Sequence, residues 1–256
     1  KNYEEIKNFI KGTIAENSPI LPVSAQQEMN IEKIKEILFE IPIPIRDIES
    51  SPEFLIARSF DINKPGTKIK DLHGGVIAGI LKKGVLKIGD EIEIEPGIME
   101  KHANQFFYKP LKTKITSIYR GNYPIKKATP GGSLALETEL DNILTKSDSL
   151  SGNIVSKTGL LPQISEKIIL SYKLFPKVLG EEQQSKIEDL KLNELIMLSI
   201  NTSTTVGKIT KINKKNNKNE IDISLNIPVV PIKGDFVGIA RNLQNHWRLI
   251  GYGEIM

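Results

Sequence analysis

The sequence predicts a mainly β chain: two consecutive antiparallel β-barrels preceded by a short α/β segment. Three observations lead there. From Ser51 onward, apolar residues recur with a period of two in many short runs. Gly, Pro and Asn separate those runs, and so many short strands are best accommodated by closed sheets without exposed edges. Only the first 45 residues carry helical periodicity.

KNYEEIKNFIKGT places Tyr3, Ile6, Phe9 and Ile10 on one helical stripe, closed by Gly12. PILPVSA then reads as a short parallel strand buried on both faces. Asn30 occupies an N-cap position ahead of Ile31, Ile34, Ile37 and Leu38, and the prolines of IPIPIRD end that helix in a stiff linker. One strand has no sheet to join, so this helix-strand-helix block cannot be a complete domain.

Strand candidates in the next block are 53–60, 75–82, 85–95, 111–119 and 132–138. LKKGVLKIGDEIEI alternates like a hairpin, with Gly84 at its turn and Gly89-Asp90 at a second bend. Its Glu91, Glu93 and Glu95 share one face, expected to be solvated, with Ile92 and Ile94 inward. The last block offers strands at 166–174, 194–200, 204–212, 220–226, 235–241 and 246–255. EEQQSKIEDLKLNE reads as a polar excursion outside the core, and INKKNNKNEI as a solvated hairpin tip carrying Lys211, Lys214, Lys215 and Lys218. Trp247, the only tryptophan, reads as a core residue.

Composition is globular, with 39% hydrophobic and 26% charged residues. Zero cysteines exclude a disulfide framework, cysteine-ligated zinc and a thiol nucleophile. His73, His102 and His246 lack metal-binding spacing. No run approaches the ~20 apolar residues of a membrane span, and no membrane role is expected. The net charge of +4 is concentrated after residue 50, which permits a polyanionic partner without demanding one.

A nucleotide hydrolase needs G-x-x-x-x-G-K-S/T, whose amides and lysine hold phosphates, and this chain has no such loop. Asp71-Leu72-His73-Gly74 imitates a magnesium-linked D-x-x-G, and Asn63-Lys64-Pro65 begins like the guanine-reading N-K-x-D but has Gly66 where the Asp belongs. Out of context, both are decoys.

The pattern G-V-x-x-G-x-L-x-x-G-x-L-K-x-G-D, within GGVIAGILKKGVLKIGDEIEI, resembles the second domain of translational GTPases. With SFDINKPG, DLHGGV, PGG at 130–132 and HWRLIGYG, essentially the whole chain resembles the gamma-subunit family of eukaryotic and archaeal translation initiation factor 2. The resemblance implies the C-terminal remnant of a G domain at 1–45, a linker at 46–52, a domain II barrel at 53–155 and a domain III barrel at 156–256. Elongation factor Tu and the selenocysteine-specific factor share this architecture. An elongation-type factor delivering another aminoacyl-tRNA, or a two-barrel interaction module without an RNA role, are the alternative readings.

The resemblance also implies functional residues. Ser24, Ala25 and Gln26 match the loop that packs on the guanine base. Gly74, Gly75, Val76, Ile77, Ala78 and Gly79, with Ser117 and Tyr119 opposite, match the pocket for the tRNA 3′ end, where glycines admit the terminal adenosine and an aromatic wall stacks on it. From the residues alone, the glycines equally suit a relaxed barrel corner. Asp61, Asn63, Lys64, Lys70 and Asp71 lie in a long loop matching the alpha-subunit docking region. Arg241 and Arg248 are candidates for RNA-backbone or domain contacts. The implied parent is a cytoplasmic GTPase using GTP or GDP with Mg2+. Its implied partners are initiator methionyl-tRNA, the alpha subunit through domain II, the beta subunit through the G domain, and the small ribosomal subunit. For this chain alone the expectation is no catalytic residue, no metal site, no cofactor and no activity.

Overall fold

The structure is a computed structural model describing residues 2–102, 105–177, 186–215 and 218–256. The chain divides into two compact units, residues 1–45 and 46–256. The first holds α1 (Asn2–Ile10) and α2 (Ile31–Glu40), and neither helix buries a residue. The expected strand at PILPVSA is absent: 19–23 are irregular, and Ser24 makes a single antiparallel bridge with Met29. An extended run with no neighbouring strand has nothing to complete its backbone hydrogen bonds. Asn30 stands at the N-cap position of α2, but in the left-handed region (φ 62°) and without a capping bond. Its side-chain amide instead donates to the Pro22 carbonyl at 2.8 Å.

Among the described residues the second unit carries fifteen strands. Those of the first barrel are β1 (Glu53–Phe60), β2 (Val76–Lys83), β3 (Leu86–Lys87), β4 (Glu91–His102), β5 (Gln105–Arg120), β6 (Tyr123–Pro124), β7 (Lys127–Ala128), β8 (Ser133–Thr138) and β9 (Ile154–Lys157). The hydrogen-bonded order β4-β9-β1-β2-β8-β5 closes through β4–β5, entirely antiparallel. Alternate residues point inward: Phe54, Ile56, Ile77, Ile92, Ile94, Ile118, Leu134 and Leu136 fill the interior.

The second barrel closes in the order β10-β13-β12-β11-β14-β15. Its strands are β10 (Ser165–Leu174), β11 (Leu195–Ile200), β12 (Ser203–Lys215), β13 (Lys218–Val229), β14 (Phe236–Leu243) and β15 (His246–Ile255). Leu170, Ile196, Leu198, Ile209, Ile221, Val237, Ile239 and Ile250 form its core. The two barrels meet over Leu55 and Ile154 from the first and Val230 from the second, with Leu161, Ile164 and Ile232 packed around them.

Four expectations are corrected. The strands flanking Gly84 do not pair with each other: β2 lies between β1 and β8, while β3 pairs with β7. Gly84 is a corner, with φ 75° and a Cβ direction that points to within 2.5 Å of the Pro52 Cα. Glu93 and Glu95 are buried rather than solvated: Glu95 borders second-barrel residues at the seam, and Glu93 lies against the Gly159 backbone and Lys112; Glu91 is exposed. Ile187 and Leu190 of the supposed polar excursion join the second core, its residues 181–185 lying outside the described ones. Trp247 is 38% exposed and pairs with Asn242 at the end of β15, where no core remains to cover it. At the hairpin tip, β12 and β13 stay paired to Lys215 and Lys218; Asn216 and Asn217 fall outside the described residues.

Candidate tRNA-end and partner-docking surface

Strand register brings four of the expected pocket residues, Val76, Ala78, Ser117 and Tyr119, into two rows across the outer wall of the first barrel. One row runs Arg58, Ala78, Ala135 and Tyr119 over β1, β2, β8 and β5. The next runs Phe60, Val76, Glu137 and Ser117. Their chain neighbours Ile77, Leu136 and Ile118 are fully buried in the core, so alternation turns these rows outward. The first row is a shallow strip floored by two alanines, with Tyr119 40% exposed at one end and Arg58 at the other.

One carboxylate organises the second row. Glu137 Oε2 accepts the Ser117 hydroxyl at 2.6 Å, and Oε1 contacts His73 Nδ1 at 2.8 Å. The residues 61–73 loop is tied at its base to the same group. Asn63 Nδ2 donates to Asp61 Oδ1 and to the His73 carbonyl, both at 2.8 Å, and Asn63 Oδ1 accepts the His73 N–H at 2.8 Å. The backbone N–H of Asn63, with its side chain, holds the Asp61 carboxyl below the usual carboxylate range. Between those ends Lys64, Lys70 and Asp71 are exposed, and Ile69 is 90% exposed. A cleft of about 480 Å³ opens at the loop base, lined by Phe60, Asp61, Asn63, Lys64, Pro65, Lys146 and Ser147.

The glycines serve the barrel's own packing. A side chain at Gly74 would meet the Thr138 carbonyl, at Gly75 the Thr145 side chain, and at Gly79 the Leu55 carbonyl. Gly75, Val76, Ile77 and Gly79 are buried, and Gly74 and Ala78 half-buried. Of that run, Ala78 is the residue on the open strip. Sequence reasoning missed Arg58, Ala135 and Glu137, which come from strands whose neighbours only the register reveals.

The remaining expected residues lie apart. Ser24 is half-buried, with Ala25 and Gln26 exposed, in a turn closed by paired Ser24–Met29 backbone bonds. Arg241 is taken up by its own chain. Its guanidinium donates to the Glu188 carbonyl at 3.0 Å, the Asp189 carbonyl at 3.2 Å and both oxygens of Glu194. The Arg248 side chain, opposite it on β15, has no hydrogen-bond partner among the described residues. Among the described residues no His, Asp and Glu side chains group as metal ligands, and no helix is long and apolar enough to cross a membrane.

Residues 166–255 match the family described as initiation factor eIF2 gamma, C terminal. Over its full length the chain is 50% identical to translation initiation factor 2 subunit gamma of Methanocaldococcus jannaschii, and 44% identical to that of Pyrococcus horikoshii. It spans 61% of the length of each. Among solved structures, translation elongation factor SelB from Methanococcus maripaludis matches 99% of the chain with a TM-score of 0.74 at 20% identity, covering 54% of that protein. This likeness establishes a shared fold. The whole-chain identities and the family match together show that the chain belongs to the gamma-subunit family of translation initiation factor 2.

Proposed function

We propose that the chain is the tRNA- and partner-binding portion of its parent factor, with 53–155 acting as domain II and 156–256 as domain III. The observation that carries this reading is the outer row Arg58, Ala78, Ala135 and Tyr119. Small side chains let a terminal adenosine lie flat on the strip, Tyr119 offers a stacking surface, and Arg58, exposed and paired with Asp148, forms the polar far end. In this reading the strip receives the 3′ end of initiator methionyl-tRNA, and Arg248 and the lysines of the β12–β13 tip add diffuse attraction to RNA.

The loop bearing Lys64, Lys70 and Asp71 is the alpha-subunit docking element, its exposed Ile69 supplying an apolar anchor and its charges the register. The Ser24-Ala25-Gln26 turn would pack on guanine once the phosphate site and Mg2+ of the rest of the factor are present, and the beta subunit would dock mainly on the part of the G domain outside this chain. The parent acts in the cytoplasm, delivering the tRNA to the small ribosomal subunit.

The test is methionyl-tRNA binding by the full-length factor with GTP. Tyr119→Ala should cost about 1–3 kcal/mol of affinity. Wild-type binding should weaken steeply with salt. Unchanged affinity in Tyr119→Ala would remove the strip from the tRNA site. Charge reversal at Lys64 and Asp71 should weaken alpha-subunit binding while leaving tRNA-free folding intact.

A further inference from the structure

The crevice between the barrels holds a carboxyl group with an unanswered oxygen. Glu95, near the end of the barrel portion of β4, is 9% exposed, and its Oε2 is buried with no hydrogen-bond partner. It faces a void of about 10 Å³, at the lower limit for one water, bounded by Pro96, Gly152 and Ile154 of the first barrel and by Ile200, Pro228 and Val230 of the second. A charged carboxylate in such a place lacks both solvation and counter-charge.

Its neighbours decide which protonation state the site tolerates. Glu93 lies two residues away on the same face and is well supplied: Oε2 accepts the Gly159 N–H at 2.9 Å, and Lys112 lies 3.6 Å from Oε1. The Glu93 carboxylate so placed opposes a second negative charge on Glu95. Across β9 and β1, Glu53 is engaged by Lys83 at 2.6 Å. Lys157 is directed to Asp90 at 3.5 Å. From the second barrel, Asp235 is held by Lys82 and Asn201, and the other bounding residues carry no charge. Ser156, between Glu93 and the start of β1, leaves its buried hydroxyl unpartnered as well.

We infer that Glu95 is a pH-responsive latch: its neutral carboxyl lets the two barrels close on each other, and its ionisation loosens the crevice. Burial first, then the Glu93 charge, pushes the Glu95 carboxyl up from its ordinary value, with Lys112 opposing. Because the folded value lies above the unfolded one of about 4.3, the stabilisation is complete below that unfolded value and is lost as pH rises through the folded one.

The 256-residue chain tests this by amide exchange at Ile154 and Val230 across a pH series, expressed as protection relative to Glu95→Gln, which is neutral throughout. Wild-type protection should fall against the variant by up to about tenfold per pH unit between the unfolded carboxyl value and the raised Glu95 one, and level off above it. A constant ratio would overturn the latch. Should Glu95→Gln not fold, the carboxyl carbon resonance of Glu95 in the wild type decides. Titration above the exposed glutamates supports the latch, and titration together with them overturns it.

Discussion

Lys82 of the first barrel and Asp235 of the second form an ion pair across the seam, and Asp235 also accepts a hydrogen bond from the Asn201 side-chain amide at 2.6 Å. The partners are unequally buried, with side-chain exposures of 39% and 6%. Removing Asp235 frees a lysine that can reach water, whereas removing Lys82 strands a buried carboxylate. Lys82→Met should therefore cost more, about 2–4 kcal/mol, than Asp235→Ala, at about 1–2 kcal/mol. Urea unfolding of both variants gives the order, and a reversed order would mean the carboxylate stays solvated.

Arg241 joins β14 to the segment that covers the open end of the second barrel. Its fork bonds two carbonyls and Glu194, with side-chain exposures of 14% and 15% for the ion pair. Lysine carries the same charge but cannot reproduce that planar geometry. Arg241→Lys should lose about 1–3 kcal/mol of stability, and Arg248→Lys less than about 0.5 kcal/mol. If the second barrel has any RNA contact at Arg248, the salt slope of binding should drop in Arg248→Ala and persist in Arg241→Lys.

Those two arginines show where the sequence was legible and where it was not. Alternation placed all six strands of the second barrel to within three residues at each end, because each strand presents one face to a core and the other to water. What alternation does not carry is which strand lies beside which. Gly84 looked like a hairpin turn because the runs on either side alternate, yet its N–H bonds the Asp47 carbonyl and both runs pair elsewhere. Glu93 and Glu95 looked solvated because a strand's outward face usually is, yet the chain at Gly159 lies on Glu93 and the second barrel borders Glu95. Ile187 and Leu190 were hidden in a charged stretch that spans the core without forming a strand. At the strip, Tyr119 and Ala78 were singled out through the family resemblance, while Glu137 and Arg58 became visible only with the register.

Arg58 leads to a prediction about acid. Asp148 accepts the Arg58 Nε–H at 2.8 Å and the Ser59 N–H at 3.0 Å. The Arg58 side chain first, then the Ser59 amide, holds the Asp148 carboxyl below the ordinary carboxylate range. A depressed folded value means that the pair stabilises the fold above the unfolded value of about 3.9 and ceases to do so as pH falls through the folded one. Asp148 adopts φ 60°, a conformation that Asn also tolerates, so Asp148→Asn removes the charge without backbone strain. The melting-temperature gap between wild type and Asp148→Asn should be present at pH 7 and close on acidification toward pH 2. A gap that stays constant would show that the carboxylate charge contributes nothing.

Glu137 is the point at which the docking loop and the open strip meet. The path runs from Asn63, which closes the loop base on His73, through the His73 ring to Glu137 and on to Ser117 beside Tyr119. None of these bonds is needed to close the barrel, whose ladders are complete without them. Glu137→Ala should therefore leave the barrel folded, at a cost of about 1–2 kcal/mol for two lost hydrogen bonds. Its larger effects should be local. Amides of residues 61–73 should exchange faster once His73 is released, and methionyl-tRNA affinity of the full-length factor should fall about tenfold, or about 1.4 kcal/mol, as Ser117 and the strip lose their anchor. Glu137→Gln, which can still accept one bond and donate another, should recover most of both. Faster loop exchange with unchanged tRNA affinity would confine Glu137 to holding the loop.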